Sequence, residues 1–336
     1  MKHKSALVTG GLGFIGSHLV DLLIKQGLNV TIVDNLATGR ESNVKTHATN
    51  PRLKIVEGDI SVMSAWGDAF AGVDAVFHLA ALADIVPSIQ KPMAYYQSNV
   101  TGTAHVLEAA RAHNVKKLVY VASSSCYGIA DVTPTPETAP AKPEYPYALT
   151  KYLGEQLVLH WGKVYGLPVL ALRFFNVYGP RSRTTGAYGA MFGVFLAQKL
   201  AGKSFTIVGD GKQSRDFTFV TDVADALLTA AESDVAGEIF NVGSGQTVSV
   251  NRVTELLGGP KTYIPKRPGE PDITFADISK IKQRLGWSPK VPIEQGVKIM
   301  MDNIKDWKDA PVWTPDSIAD ATKDWFRYLS KAGGKS

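Results

Sequence analysis

The chain has 336 residues, 45% of them hydrophobic and 20% charged, with 31 Gly and 18 Pro. That is the composition of a globular protein large enough for two packed units, and it excludes collagenous and wholly disordered chains. The formal charge of +5 comes from 36 basic and 31 acidic residues mixed along the chain without long like-charged blocks, which speaks against a nucleic-acid partner.

In chain order, Ala6–Val8 reads as a buried strand, Gly13–Gln26 as a helix, and Val30–Val33, Leu53–Val56 and Val73–Leu79 as strands. Thr101–His113 reads as a helix, Lys117–Val121 as a strand, Tyr147–Tyr165 as a helix stopped by Gly166, and Val169–Phe174 as a strand. Strands alternating with helices predict an α/β, doubly wound parallel sheet of the Rossmann type over residues 1–176. Past residue 176 the pattern loosens, and Gly179–Gly193 carries four glycines without clean periodicity. Phe192–Ala201 and Thr221–Ala231 read as helices, and Ile239–Val242 as a strand that could return to the main sheet within a segment near 214–245. After Ser249 come a helix, a Pro-containing stretch at Ile264–Pro271 and two or three terminal helices. Residues 177–336 are therefore expected to form mainly a smaller, discontinuous α/β lobe over the carboxyl edge of the sheet, where open parallel sheets bind ligands.

The run Val8–Gly16 follows the first strand and opens the first helix. Gly11, Gly13 and Gly16 satisfy GxGxxG, and Gly10, Gly13 and Gly16 satisfy GxxGxxG, spacings that let backbone approach a pyrophosphate beneath helix amides. Asp34 ends the second strand 18 residues after Gly16, where a carboxylate accepts adenosine ribose hydroxyls and repels a 2′-phosphate. NAD is favoured over NADP on that ground, with Arg40 the residue able to soften the preference. Asp59, after the third strand, is positioned to meet the adenine amino group. The cofactor contacts expected along this unit are Gly10, Gly13, Phe14, Ile15, Gly16, Asp34, Asn35, Asp59 and Ile60.

Tyr147 and Lys151 stand four residues apart on one helical face, so the ammonium is expected to favour the phenolate. Together with an oxidised nicotinamide, it would bring a phenol of pKa about 10 towards the working range of a base. Ser123 lies 24 residues upstream at the end of a predicted strand, its hydroxyl facing the same crevice.

These residues resemble the extended short-chain dehydrogenase/reductase family, particularly its NAD-dependent nucleotide-sugar epimerases and dehydratases. The resemblance spans nearly the whole chain: TGGLGFIG, DNLATG, GDI, HLAA, SNVTGT, SSSCYG, YALTK, RFFNVYGP, SRDFTFVTDV and RPGEPD occur in order. It implies that Tyr147 is the base and acid on a sugar C4 hydroxyl, that Ser123 bonds the same oxygen, and that Lys151 holds the nicotinamide ribose. It implies that Leu79, Ala80 and Ala81 line the cofactor, with Asn99 near the active-site helix. Asn176, Arg215 and Arg267 match the family's contacts to a nucleotide diphosphate, a task suited to the forked donors of arginine. Ser124 joins Ser123 on the substrate side.

The resemblance also narrows the reaction. Family dehydratases carry Asp-Glu directly after the serine or threonine, and decarboxylases a glutamate at the second of those positions; this chain has Ser124 and Ser125. Cys126 stands one residue before Tyr127 rather than two, which separates it from the cysteine of 3,5-epimerases. What remains is a 4-epimerase acting on a UDP-sugar through a transient 4-keto intermediate. A dehydratase or decarboxylase of the same family, and a catalytically silent nucleotide-sensing relative, are the competing readings. Thr274 stands where hexose-only epimerases often carry a bulky tyrosine, which implies that UDP-N-acetylhexosamines or hexuronates are accepted beside UDP-hexoses.

The single Cys126 allows no disulfide framework and reads as a core thiol. No signal-like or membrane-spanning run is present, so a cytosolic location is expected. The seven histidines lack metal-ligand spacing, so no metal is expected, and His78 reads as a core residue. Trp307, Trp313 and Trp325 are expected to dock the tail onto the body. Family resemblance implies a homodimer packed through the helices at about Thr101–His113 and Tyr147–Tyr165.

Overall fold

In the computed structural model, which describes residues 2–183 and 190–330, the chain opens with β1 (Ser5–Thr9), α1 (Phe14–Lys25), β2 (Asn29–Asp34) and β3 (Leu53–Glu57). Then follow β4 (Ala75–His78), α2 (Ile85–Gln90), α3 (Pro92–Tyr96), a π-helical turn at Gln97–Thr101, α4 (Gly102–Ala112), β5 (Lys117–Ser123), α5 (Pro146–Tyr165) and β6 (Val169–Phe174). The rest comprises β7 (Asn176–Tyr178), α6 (Met191–Leu200), β8 (Phe205–Val208), β9 (Ser214–Arg215), β10 (Phe217–Phe219), α7 (Val220–Glu232) and β11 (Glu238–Val242). It closes with β12 (Val248–Ser249), α8 (Val250–Leu257), β13 (Lys261–Ile264), β14 (Ile273–Thr274), α9 (Ser279–Leu285), α10 (Ile293–Asp302) and α11 (Pro315–Leu329).

Seven strands form one parallel sheet in the order β11-β6-β5-β4-β1-β2-β3. Nearly all the Val, Leu, Ala and Phe residues of β1, β4, β5 and β6 are buried, which is why these strands read as continuous apolar runs rather than alternating ones. One apolar cluster packs α1 and α7 on one face, and a second packs α4 and α5 on the other. The strand order reverses between β1 and β4, so the crevice at their carboxyl ends is the ligand-binding switch point of the fold.

The doubly wound sheet is the one expected, and Ile239–Val242 does return to it, as β11 beside β6. Two 3-10 turns, Glu41–His47 and Ala65–Phe70, replace crossover helices and carry no helical period that would announce them. Within Gly179–Gly193, residues 184–189 lie outside the described residues. The smaller lobe is built from short pairs, β7 with β10, β8 with β13, and β9 between β12 and β14. Its core gathers Tyr178, Phe192, Phe195, Phe205, Phe217, Phe219 and Trp307. Among the described residues, no helix is long and apolar enough to cross a membrane.

Candidate functional site

The turn after β1 is shaped by the glycines at 10, 13 and 16, so the GxxGxxG spacing is the one the backbone uses. Gly10 has φ +72, a conformation that penalises a side chain, and a Cβ there would lie 2.9 Å from the Ala80 amide nitrogen. Gly13 is the N-cap of α1, and a Cβ on Gly16 would fall 2.2 Å from the Gly10 carbonyl oxygen. Gly11 instead packs against Ile32. The amides of Phe14 and Ile15 lie in the first turn of α1, where helix N–H groups have no carbonyl partner within the helix.

Asp34 is buried at the end of β2, its carboxylate accepting the amides of Leu12 (3.0 Å) and Leu36 (2.9 Å). Burial raises its pKa while those two bonds pull it back down. Further lone pairs on the same oxygens stay available to hydroxyl donors. Asp59 accepts the Ser61 amide (2.8 Å); against the upward pull of burial, bonds from Ser61 and Asn35 hold its carboxyl below the usual range. Asn35 thus supports Asp59 and also caps Ala37. Ile60 is 5% exposed with its side chain in the core, which leaves only its backbone for a ligand. Arg40 reaches the Arg181 carbonyl at 3.3 Å. The tight glycine cradle, the first-turn amides and a carboxylate opposite them fit a dinucleotide.

Across the crevice, the Leu79 amide bonds the Thr9 carbonyl and the Ala80 amide bonds the Thr9 hydroxyl, with Ala81 next in line. Behind them His78 is 1% exposed between Thr9 Oγ1 (2.8 Å) and Thr103 Oγ1 (2.9 Å). Thr103 gives its proton to the Asn99 carbonyl, so His78 Nε2 must donate and Nδ1 accept. Burial first, and then the Lys151 charge, lower the His78 pKa to about 3, which keeps it neutral. Asn99, on the π-helical turn, accepts the Leu82 amide (2.8 Å) and donates to the Leu82 carbonyl and the Thr150 hydroxyl. Its side chain ties the loop after β4 to α5, the helix that carries Tyr147 and Lys151.

The reactive centre assembles where β5 ends and α5 begins. Tyr147 Oη stands 3.4 Å from Ser123 Oγ, long for a hydroxyl pair, and Ser123 Oγ also meets Ser125 Oγ at 2.8 Å. Two hydroxyls at that separation can bracket a third oxygen. Ser124 opens the 3-10 turn Ser124–Tyr127, and Cys126 is buried in the core, its thiol pushed up to about 12 chiefly by burial. Lys151 is 3% exposed with its Nζ 4.3 Å from the centre of the Tyr120 ring. Burial lowers its pKa to about 7, with Glu155 opposing. Glu155 in turn grips the buried Arg173 through two 2.7 Å bonds. Burial raises the Tyr147 pKa, the hydrogen bond with the Ser123 hydroxyl lowers it, and Asp84 and Cys126 add smaller upward pulls.

The substrate-side residues converge from distant parts of the chain. β14 pairs with β9 so that Thr274 lies opposite Arg215, and Thr274 Oγ1 meets Asn176 Oδ1 at 3.0 Å. Arg215, 9% exposed, donates to Glu270 at 3.0 Å, while Arg267 approaches the other Glu270 oxygen at 3.9 Å. Arg215 and Glu270 line a cavity of about 420 Å³ together with Gly209, Lys212, Lys266 and Ile273. Sequence reasoning passed over Glu270, although it sits inside RPGEPD three residues from Arg267. Asp84, within the segment Ala83–Gln90 expected to line the sugar cavity, pairs with Arg183 and adds an upward pull on Tyr147; neither its part there nor Tyr145, whose ring stacks on Tyr147 at 6.4 Å, was singled out. The last two carry no spacing that a one-dimensional pattern could reveal. Among the described residues, no cluster of three or more His, Cys, Asp or Glu could hold a metal.

A glycine-cradled crevice at a Rossmann switch point, with Ser123, Tyr147 and Lys151 gathered beside it, marks the class of dinucleotide-dependent enzymes. Residues 6–243 match the NAD dependent epimerase/dehydratase family, and the chain belongs to that family. A putative UDP-glucose 4-epimerase of Methanocaldococcus jannaschii is 36% identical over 308 residues, covering 89% of this chain and 98% of its own. The UDP-N-acetylglucosamine 4-epimerase of Methanobrevibacter ruminantium, solved with UDP-N-acetylmuramic acid, superposes with a TM-score of 0.84 at 35% identity, over 90% of this chain and 100% of that one. The UDP-glucuronic acid 4-epimerase of Bacillus cereus, solved with UDP-glucuronic acid and NAD, gives 0.83 at 32% identity, over 90% and 99%.

Proposed function

We propose that this protein is an NAD-dependent 4-epimerase of UDP-sugars. The observation that carries this reading is the pairing of Tyr147 with Ser123 at the mouth of the cofactor crevice, while Ser124 and Ser125 occupy the positions where elimination or decarboxylation would need carboxylates. The names of its relatives, which concern UDP-glucose, UDP-N-acetylglucosamine and UDP-glucuronate, support it.

In this reading Gly10, Gly13 and Gly16 admit the pyrophosphate to the Phe14 and Ile15 amides, Asp34 takes the adenosine ribose hydroxyls, and Lys151 takes the nicotinamide ribose. NAD held there would accept a hydride from the sugar C4, return it, and bring a positive ring near Tyr147. Tyr147 removes the C4 hydroxyl proton while Ser123 holds that oxygen, leaving a 4-keto sugar. Arg215 and Arg267 keep the diphosphate fixed while the sugar turns, and Tyr147 gives its proton back to the C4 oxygen as the hydride returns to the opposite face of C4. Residues 1–176, with the returning segment near 214–245, serve the cofactor and 177–336 mainly the nucleotide-sugar, with Asn176 on the diphosphate beside the arginines and Thr274 facing the sugar. Product analysis by NMR with UDP-glucose, UDP-N-acetylglucosamine and UDP-glucuronate tests the reading: inversion at C4 is the expected result, and loss of water or carbon dioxide overturns it.

A homodimer belongs to the same proposal. The outer face of α5 exposes Leu149 and Tyr165 and borders a groove in which Tyr96, Val100, Leu153, Leu157 and Leu159 lie beside Gln156, His160 and Lys163. Sedimentation at micromolar concentration should give twice the chain mass. A reducing compartment suits the lone buried thiol.

A further inference from the structure

The role of α11 lies outside everything derived so far. The helix starts from a capping box between Thr314 and Ser317, and Ile318 anchors it against Val208 and Ile264 at the ends of β8 and β13. Seven residues on, two helical turns along the same face, Trp325 is 6% exposed. Its indole Nε1 donates to the Pro268 carbonyl at 2.8 Å, and the Arg267 guanidinium lies 5.5 Å from its ring centre. Its ring is also 6.3 Å from that of Tyr145, which stacks on Tyr147. Beside it, Asp324 accepts from Gln90 at the end of α2 at 2.9 Å. One indole therefore touches the diphosphate-binding loop and the ring next to the base.

We propose that Trp325 is a positioning residue for nucleotide-sugar binding, holding Arg267 in the orientation that meets the diphosphate. The inference rests on the diphosphate role given above to Arg267. An arginine stem carries several rotatable bonds, and a forked contact to a diphosphate needs the guanidinium plane held in one orientation. The Trp325 ring, 5.5 Å from the guanidinium carbon, favours one placement of that group through cation–π attraction. The hydrogen bond from the same indole to Pro268 pins the backbone beside Arg267, so side chain and loop are set together.

A tryptophan that only glued down a terminal helix would be replaceable by any apolar group of sufficient size. Trp325→Leu keeps the apolar contact and removes both the π face and the N–H; Trp325→Phe keeps a π face. Affinity for UDP, measured by calorimetry on the NAD-loaded full chain, should fall about tenfold in the leucine variant and stay within about threefold in the phenylalanine variant. KM for the UDP-sugar should rise in parallel with kcat nearly unchanged. In an Arg267→Ala background, Trp325→Leu should change UDP affinity by less than about twofold, because the partner it orients is gone. Wild-type affinity in Trp325→Leu, or an equal loss with and without Arg267, overturns the inference. Failure of the underlying functional reading would show in the unmodified chain, as absence of UDP binding and turnover.

Discussion

The cofactor crevice and the substrate lobe face each other across one site but are made in different ways. The crevice is backbone work: Gly10, Gly13 and Gly16 and the first-turn amides of α1 lie within one strand-turn-helix unit, and a single carboxylate, Asp34, completes it. The lobe is side-chain work: Asn176, Arg215, Arg267, Glu270 and Thr274 come from separated strands and loops and hold one another through hydrogen bonds and ion pairs. A backbone site tolerates no added atom, whereas a side-chain site should lose affinity in increments.

The largest expected effect therefore lies in the crevice. Gly16→Val would drive side-chain atoms into the Gly10 carbonyl, which stands 2.2 Å from even a Cβ, so NAD retention, read from the absorbance of the released nucleotide, should vanish and turnover with it. A valine variant that still purifies with a full complement of NAD would erase the contrast. In the lobe, Arg215→Ala should weaken UDP binding by roughly ten- to hundredfold, since it removes a charged donor and leaves Glu270 without its closest partner. Calorimetry reads this, and NAD content should not change.

A smaller effect separates the reactive centre from both regions. Burial holds the Lys151 pKa near 7, below the 10.5 of an exposed lysine. Between those values the unfolded chain binds a proton that the folded chain refuses, so the cost is fully present below about pH 7 and disappears as pH rises towards 10. Denaturant unfolding should show stability climbing with pH across that window, and Lys151→Met should flatten the climb; an unchanged slope contradicts the burial argument. The smallest effect concerns sugar choice. Thr274→Tyr should cut turnover of UDP-N-acetylglucosamine by several-fold, on the order of 1 kcal/mol, while sparing UDP-glucose. Equal rates on both sugars would remove Thr274 from the sugar pocket.

The same contrast explains what could be read in the sequence. The sheet, α1, α5 and the glycine turn follow from local periodicity and glycine spacing, and Ser123 and Tyr147 meet because β5 ends and α5 begins on the same edge. Arg215, Arg267 and Thr274 were legible through family motifs, since their convergence depends on pairings such as β14 with β9 that no local pattern encodes. The π-helical turn that aims Asn99 at Leu82 and Thr150 has no compositional mark, and the sign of the Tyr147 shift depends on burial, which only packing decides. Trp325 was legible as an anchor for the tail, but its contact with Arg267 was not.

The central claim is that the Tyr147 phenol moves the proton while the rest of the site binds. Tyr147→Phe keeps the ring and its stacking with Tyr145 and removes one oxygen. Conversion of the UDP-sugar, followed by NMR, should drop by about a thousandfold, with NAD content and UDP affinity unchanged. Epimerisation at the rate of the unmodified chain would contradict the account.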